Sequence, residues 1–518
     1  MLKSNKNILF VILIFFALYC SISIGFSWDE FTLSNQGKIA VKYLFSLGTI
    51  EPEDIFRREF YSPIYYALKY LIVQAFPINF HIEASHIINL IFSITAIIGL
   101  KKLCNNLFNK RVGDIAFLIL FFFPAFFGHM GFNSKDTIIA FCHIWIFYFS
   151  IKYIQTHANK YLNLVGLLAA VGTGINLFFL GSLIPLFIFF IVEIFFIKKF
   201  NKSKILPKKI IKDLLICFAI FYSILILFWI DTHENILVLP FSLFSEWAFS
   251  DLWRGYPYLL LNGEYFNYNE IPKSYLLINI LMRSPEYLLF SYLIFLFSLI
   301  RSPNFFKIEI KLFNFKLIII LSMLLYPFLL LYFTPFSIYD GLRHVLWMIP
   351  YFCIIPALTI FYLWEKIKFR IIKFLSGFLI LSFTFFFFNF IMTTPYQYTY
   401  LNIFNGNKEN HFNKFENDYW GGSIKELIKK MNFSKNTEFT FAVCGVSKSV
   451  PKYYLKKFGY TNYLMGNSLN SEFIIMTNRT TTSDKNNELT NCFNKFKGEN
   501  IFKVSRNGVD LSIIRKIN

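Results

Sequence analysis

The chain has 518 residues, of which 56% are hydrophobic and only 16% are charged, and it contains 69 phenylalanines. Soluble domains usually carry about 25% charged residues, so this composition argues against a soluble protein and indicates a chain that crosses a membrane many times. The formal net charge of +20 would suggest a nucleic-acid partner in a soluble chain, but membrane proteins retain Lys and Arg on their cytoplasmic side. No basic and aromatic module accompanies the charge, so no nucleic-acid partner is expected.

Eleven apolar runs have the length and composition of spanning helices. They cover approximately residues 8–26, 82–100, 113–128, 137–154, 161–180, 181–197, 211–230, 286–300, 317–333, 345–363 and 371–392. The first run lacks a small-x-small cleavage site, which favours an uncleaved helix over a signal peptide. A further stretch, 61–80, is interrupted by Pro63 and Pro77, and we interpret it as an interfacial or half-membrane helix.

The distribution of charge between the loops predicts the orientation. With the N-terminus inside, the inner loops hold 21 Lys and Arg against one acidic residue, Glu309, whereas the outer loops hold 9 against 13 acids. Because Lys and Arg are retained on the cytoplasmic side, this bias predicts a cytoplasmic N-terminus in the inner membrane and an extracytoplasmic tail after Met392. The net basicity is therefore a consequence of topology.

The tail has a different composition from the apolar part, being polar and rich in Asn. Two domains are therefore predicted, a transmembrane domain over 1–392 and an extracytoplasmic domain over 393–518. Periodicity predicts short strands and helices in the tail: strands at Glu438–Cys444, Glu472–Thr477, Ile501–Ser505 and Val509–Ile514, and helices at Ser423–Met431 and Val450–Phe458. The predicted fold is an all-α polytopic membrane domain of about 11 helices with a small C-terminal α/β domain.

Seven cysteines are scattered along the chain with no CxxC pair and no Cys/His cluster at zinc spacing, which argues against a disulfide framework or a structural zinc site. Cys444 and Cys492 are the only cysteines of the outer tail, where they would meet an oxidising compartment if the cell has one. Spacing does not decide whether they form a bridge, because it does not give the distance between their Cα atoms.

Three polar islands lie on the predicted outer side of the membrane. The first outer loop opens with Trp28-Asp29-Glu30 and ends with 57–66, the second island is 128–136, and the third is 339–344. Ionisable residues at the ends of membrane helices are costly unless paired or functional. Three islands on one face suggest a single site.

Carboxylates beside cations are the groups that transfer from a phosphate leaving group requires. A carboxylate deprotonates an incoming hydroxyl, while Arg or Lys stabilises the departing phosphate through charge-assisted contacts. Ion-coupled transporters also use Asp, Glu and Arg in membrane cavities, so on the residues alone both classes stay open.

The chain resembles the multispanning glycosyltransferases of the GT-C superfamily, which include aminoarabinose transferases and protein O-mannosyltransferases. The resemblance rests on short motifs in a shared order from residue 28 to residue 421. They are Trp28-Asp29-Glu30, Tyr61-Ser62-Pro63-Ile64-Tyr65-Tyr66, Asn133-Ser134-Lys135-Asp136, Asn262-Gly263-Glu264, Ile271-Pro272-Lys273-Ser274-Tyr275, Gly341-Leu342-Arg343-His344, Pro395-Tyr396-Gln397-Tyr398 and Asp418-Tyr419-Trp420-Gly421. Ser62 is a departure, since relatives often have Pro there.

The resemblance implies an inverting enzyme that moves a sugar from a polyprenyl-phosphate donor to an acceptor at the outer face of the cytoplasmic membrane. By position, Asp29 corresponds to the catalytic carboxylate and Asp136 to a second acidic residue, with Glu30 as competitor. Arg343 corresponds to a donor-phosphate contact. The remaining residues assigned in this way are the phosphate contacts Lys135 and Arg58 and the substrate contacts Tyr65, His344, Glu264 and Tyr275.

The expected partners are the lipid-linked donor, membrane lipids and a glycan, lipid or protein acceptor. Some GT-C members use a divalent cation, but no ligand set in this sequence is distinctive enough to predict one, so no cofactor is assigned. The alternatives are a transporter or flippase of lipid-linked saccharides and a non-catalytic subunit of envelope assembly.

Overall fold

The computed structural model describes residues 2–50, 62–200, 206–249, 255–333, 338–435, 438–484 and 486–517. Arg58, a predicted phosphate contact, lies outside the described residues. The described part is mostly helical, with a sheet near the C-terminus.

Nineteen of the α-helices precede residue 393 within the described ranges. In chain order they are α1 (Leu2–Ser23), α2 (Glu30–Phe45), α3 (Ile64–Val73), α4 (His81–Leu107), α5 (Lys110–Phe121), α6 (Pro124–His129), α7 (Asp136–Thr156), α8 (Asn159–Ile175), α9 (Phe178–Ser182), α10 (Ile184–Val192), α11 (Pro207–Phe228), α12 (Leu239–Phe249), α13 (Tyr275–Arg283), α14 (Glu286–Arg301), α15 (Phe305–Glu309), α16 (Phe313–Phe333), α17 (Ile349–Phe352), α18 (Ile354–Glu365) and α19 (Arg370–Met392).

Each of the eleven apolar runs coincides with helix, but fewer helices reach the length of a membrane span. Among the described residues five are long and apolar enough, or six if the pair α13 and α14, bent by 107°, is one span. The five are Ile78–Leu107, Asp136–Thr156, Pro207–Phe228, Phe313–Phe333 and Arg370–Met392. The count of eleven therefore stays a prediction.

Local breaks account for the shorter helices. The apolar run at 113–128 is divided where α5 ends at Phe121 and Pro124 begins α6. Proline lacks a backbone N–H and is tolerated in the first helical turn, so it begins a new helix more readily than it continues one. In the described part of the stretch 61–80, the α-helix α3 has ten residues, too few to span a membrane.

The outer helices present apolar side chains away from the protein. Only 17% of the most apolar stretch of α19 and 22% of that of α11 is buried inside the protein. A soluble protein exposes large apolar patches rarely, whereas a bilayer solvates them. These apolar helices are those of a multi-pass membrane protein.

The tail contains three further helices and most of the strands. The helices are α20 (Ile424–Lys429), α21 (Ser449–Lys457) and α22 (Cys492–Lys495), and the strands of the chain are β1 (Tyr258–Leu261), β2 (Glu264–Asn267), β3 (Phe439–Cys444), β4 (Tyr463–Met465), β5 (Phe473–Thr477), β6 (Thr480–Thr482), β7 (Leu489–Asn491), β8 (Gly498–Arg506) and β9 (Val509–Ile517). Five strands form a mixed sheet in the order β4-β3-β5-β9-β8, with β3 parallel to both its neighbours and β9 antiparallel to both of its own.

The tail packs against the first outer loop through backbone hydrogen bonds. Gly25 N–H donates to the carbonyl of Gly422 at 2.8 Å, and Trp28 N–H donates to that of Trp420 at 3.2 Å. A Cβ on Gly25 would lie 2.8 Å from the same carbonyl oxygen, so only glycine permits this approach. The backbone immediately before Asp29 is thus held by the tail.

A disulfide joins Cys444, at the end of β3, to Cys492, at the start of α22, with 5.9 Å between the Cα atoms. The bridge closes a loop of 48 residues that contains β4, β5 and the hairpin of β6 and β7. The two cysteines lie in segments that no sequence spacing relates, so the sequence alone did not decide whether they form a bridge.

Replacing Cys444 and Cys492 together by Ser should destabilise the tail by about 2–4 kcal/mol, because the open loop has more conformational entropy when unfolded. The measurement is the rate of limited proteolysis of the tail. Peptide mapping after alkylation provides the control, since the bridged thiols should be labelled only after reduction. Labelling of both thiols without reductant would show that the bridge is not formed.

Candidate active site

The third polar island is a loop that buries an arginine. Asp340 and Gly341 both adopt left-handed backbone, with φ of 57° and 67°. Aspartate is among the side chains that tolerate this region, and glycine enters it freely. The Tyr275 hydroxyl accepts a 2.8 Å hydrogen bond from the Gly341 N–H. This reversal turns Arg343 inward, where only 2% of its side chain is exposed.

Three carboxylates converge on Arg343, and each comes from a different outer segment. Its Nη2 lies 3.0 Å from Asp340 Oδ2, and its Nη1 lies 3.4 Å from Asp29 Oδ2 and 3.8 Å from Asp136 Oδ2. The Nε–H has no hydrogen-bond partner among the residues that the structure describes. Burial opposes the charge, but the attraction of the carboxylates is stronger and raises the pKa of Arg343, which stays a cation.

Aromatic rings close two sides of the guanidinium. The Arg343 Cζ lies 4.5 Å from the ring centre of Trp420 and 5.2 Å from that of Tyr339. Arg343 also donates from Nη2 to His344 Nε2 at 3.1 Å. Burial and the cations Arg343 and Lys135 lower the pKa of His344 well below 6.5, so the ring is neutral and accepts this bond. The arginine is therefore held in one orientation.

Asp29 and Glu30 are adjacent in sequence but have different surroundings. The Asp29 side chain is 37% exposed and its carboxylate faces Arg343. The Glu30 carboxylate is buried, accepts from the Ser27 N–H at 2.6 Å and lies 3.1 Å from His86 Nε2. The bond to Ser27 ties the Glu30 side chain to the backbone that precedes α2. Glu30 is thus engaged in structure, whereas Asp29 is open to a substrate.

Asp136 begins α7 and is fixed by a neighbouring amide. The Asn133 side chain donates to Asp136 Oδ2 at 3.0 Å, and its own oxygen accepts from the Asp136 N–H at 2.9 Å. The Asn133 oxygen also accepts from the Lys135 N–H at 3.1 Å, as in an Asx turn that leads into the helix. The bonds with Asn133 thus aim Asp136 at Arg343. Lys135, which follows Ser134 on the same turn, is only partly buried.

The other predicted residues have mixed positions. The Tyr65 hydroxyl donates to Asn89 Oδ1 at 3.0 Å and lies in the packed interior, and Tyr275 supports the loop of Arg343. Glu264 is exposed at the turn of the β1 and β2 hairpin, and no hydrogen bond or ion pair of the described chain connects it with Arg343. Their roles in binding substrate stay predictions.

A second buried arginine at the site, Arg479, was not predicted from the sequence. Its Nη1 lies 2.9 Å from Asp340 Oδ1, and its guanidinium stacks on Tyr256 at 3.9 Å from the ring centre. Neither Arg479 nor Tyr256 belongs to a recognisable motif. Their contact joins the end of one tail strand to a distant outer segment, and no sequence pattern relates the two. Only the structure reveals it.

No group of three or more His, Cys, Asp or Glu side chains in the described ranges has the geometry of a metal site. At the point where Asp29, Asp136 and Asp340 converge, the guanidinium of Arg343 occupies the centre. The donor set as placed therefore surrounds a protein cation.

Residues 63–229 match the family model described as dolichyl-phosphate-mannose-protein mannosyltransferase. This range includes Tyr65, Lys135 and Asp136, whereas Asp29 and Arg343 lie outside it. No curated protein matches the chain.

Solved structures with a similar arrangement include ArnT from Cupriavidus metallidurans in the apo state, with 9% identity, coverage of 99% of this chain and 98% of that chain, and a TM-score of 0.49. The same protein bound to undecaprenyl phosphate has 10% identity, the same coverage and a TM-score of 0.48. The apo oligosaccharyltransferase of Archaeoglobus fulgidus has 12% identity, coverage of 89% and 65%, and a TM-score of 0.48. The family match over residues 63–229 confirms that this chain resembles the integral-membrane glycosyltransferases of the GT-C superfamily.

Proposed function

We propose that this chain is an inverting glycosyltransferase that takes a sugar from a polyprenyl-phosphate donor. The observation that carries the proposal is the convergence of Asp29, Asp136 and Asp340 on buried Arg343, with Asp29 the most exposed carboxylate of the three. The matched family is named for dolichyl-phosphate mannose, which is a sugar on a polyprenyl phosphate.

Arg343 suits the phosphate leaving group. Its Nε–H is unpaired among the described residues, and its Nη1 contacts with Asp29 and Asp136 are longer than its 3.0 Å contact with Asp340. A phosphate oxygen beside Nη1 would receive a charge-assisted hydrogen bond from the planar guanidinium. As the bond between the anomeric carbon and the phosphate oxygen breaks, the electron pair leaves with the phosphate and is stabilised there.

Asp29 suits the role of general base. An acceptor hydroxyl is a poor nucleophile, and a carboxylate that accepts its proton during attack contributes typically about 10²–10⁴-fold. Attack on the face of the sugar opposite to the phosphate inverts the anomeric centre. Glu30 is less suited, because both its oxygens are already engaged by Ser27 and His86.

The test is transfer of radiolabel from polyprenyl-phosphate sugars to acceptor-bearing membranes from cells that lack the chain. The purified parent in lipid vesicles should label the acceptor, and a matched Asp29→Asn preparation should not. Movement of the labelled lipid across the vesicle without transfer would instead support a transporter. If the parent shows no transfer and no movement of the labelled lipid, the result would support an assembly subunit. Mass spectrometry of envelope glycans with and without the chain would identify the sugar and the acceptor.

The site is further proposed to face the outside of the cytoplasmic membrane, because the proposed inner loops hold 21 Lys and Arg against one acid. Alkaline phosphatase fused after residue 400 should therefore be active, since that enzyme needs the oxidising side to form its disulfides. An inactive phosphatase fusion together with a fluorescent protein fusion that is bright at the same point would reverse the orientation.

A further inference from the structure

Asp340 bridges two arginines that come from different parts of the chain. Its Oδ2 lies 3.0 Å from Arg343 Nη2, and its Oδ1 lies 2.9 Å from Arg479 Nη1. At most 4% of any of these three side chains is exposed. Each oxygen of the carboxylate therefore serves one guanidinium, and neither arginine has Asp340 to itself.

Arg479 is held firmly in the tail. It follows β5, and its Nη1 donates to the Tyr419 carbonyl at 2.6 Å while its guanidinium stacks on Tyr256. The Tyr256 hydroxyl donates to the carbonyl of Thr480, the next residue, at 2.6 Å. Both the side chain and the adjoining backbone are thus fixed, so Arg479 offers its charge at a defined place.

The disulfide reinforces the same segment. The Cys492 N–H donates to the Arg479 carbonyl at 3.0 Å, and Cys492 is bonded to Cys444. On the other side, the Thr480 N–H donates to Glu416 Oε1 at 2.8 Å. The segment that carries Arg479, between β5 and β6, is therefore anchored on both flanks.

The electrostatic effect of Arg479 reaches Arg343 through Asp340. Burial opposes the charge of Arg479, but Asp340 and Glu416 attract it more strongly and raise its pKa, so it stays a cation. If this charge were removed, Asp340 would neutralise Arg343 alone and the buried cluster would be one unit more negative. Both changes disfavour a phosphate at Arg343, because like charges in a buried site repel strongly.

We propose that Arg479 is a positioning residue for the donor-phosphate site. Arg479 holds one oxygen of Asp340 and so keeps Arg343 available to the donor. The C-terminal domain then sets the donor affinity without touching the donor. This inference rests on the proposed function and adds to it the role of the tail.

The test compares Arg479→Gln with the parent in the full-length protein, by binding of radiolabelled polyprenyl phosphate and by donor KM and kcat. Loss of one partner of a buried charge pair should weaken donor binding by about tenfold to a hundredfold or more and raise the donor KM, with a smaller change in kcat. The matched control is Arg506→Gln, which breaks the tail ion pair with Glu426 and should leave donor affinity unchanged.

A double-mutant cycle separates this role from a merely structural one. If Arg479 acts through Asp340, then Arg479→Gln should change donor affinity less in Asp340→Asn than in the parent, since coupled residues are not additive. Full multiplication of the two effects would overturn the proposal, as would unchanged donor affinity in Arg479→Gln alone.

Should Arg479→Gln not be recovered as folded protein, Arg479→Lys takes its place. Lysine keeps the charge but loses the stacking on Tyr256, so donor binding should weaken by about threefold or more. Unchanged affinity of this variant would overturn the proposal. A parent that does not bind polyprenyl phosphate would refute the proposed function itself, whereas equal binding by parent and variants would refute only the positioning role.

Discussion

Asp29→Asn should reduce sugar transfer by at least about a hundredfold, which is the lower range of a general base contribution. Asparagine has nearly the same shape as aspartate and keeps an oxygen near Arg343, but it cannot accept the proton of the acceptor hydroxyl. The protein amount and the binding of polyprenyl phosphate should stay close to those of the parent. Turnover by purified enzyme, with bound donor measured separately, tests this.

The neighbouring carboxylate provides the control for Asp29. Glu30→Gln removes the charge that faces buried His86 and weakens the hydrogen bond from the Ser27 N–H. It should therefore reduce the yield or thermal stability of the protein while turnover per folded molecule changes much less. Asp29→Asn enzyme that retained more than about a tenth of parental turnover would remove Asp29 from the role of base, because that loss is smaller than a hundredfold. Glu30 and Asp136 would then be the next candidates.

Arg343→Lys should weaken transfer by roughly tenfold to a hundredfold, chiefly through a higher donor KM. Lysine keeps the positive charge among Asp29, Asp136 and Asp340, so the buried carboxylates are not left without a cation. It loses the planar fork that binds phosphate with two parallel hydrogen bonds. Donor KM, binding of polyprenyl phosphate and protein level together test this expectation.

The choice of lysine is important for Arg343. Arg343→Gln would leave three carboxylates around a neutral side chain, and loss of a buried partner commonly costs about 3–5 kcal/mol, so low activity could reflect unfolding. Arg506→Lys, a change of the same type in the tail, is the matched control. Arg343→Lys enzyme with the activity and donor affinity of the parent would make phosphate recognition by this residue untenable.

Sidedness was the most informative property of the sequence. The charge bias predicts three polar islands on one face, and the structure brings Asp29 and Asp136, from two of these islands, within 4 Å of Arg343 in the third. The type of a residue and its position relative to a membrane helix are local properties, so both can be recognised from the sequence. The contacts between the islands depend on helix packing, which no local pattern specifies.

The roles of individual side chains were harder to predict. Glu30 and Asp29 are alike in sequence, and only the position of His86 distinguishes them. Glu264 follows Asn262-Gly263, which is a typical two-residue hairpin turn with positive φ at both positions. The turn is a local property of Asn262-Gly263, whereas the role of Glu264 as a substrate contact stays a prediction. Arg479 is the clearest case, since its partner Asp340 is remote in the chain and no motif relates them.

The backbone pairing between residues 25–28 and 420–422 sets an order of events during biosynthesis. Trp28 leaves the ribosome roughly 20–80 s before Trp420, at ordinary rates of synthesis. Until then the backbone before Asp29 lacks the tail segment that holds it, and Arg343 lacks the ring of Trp420. A nascent or prematurely terminated chain can therefore insert its apolar helices without an assembled centre. The growing polypeptide thus reaches the membrane before it acquires the geometry to act on lipids there.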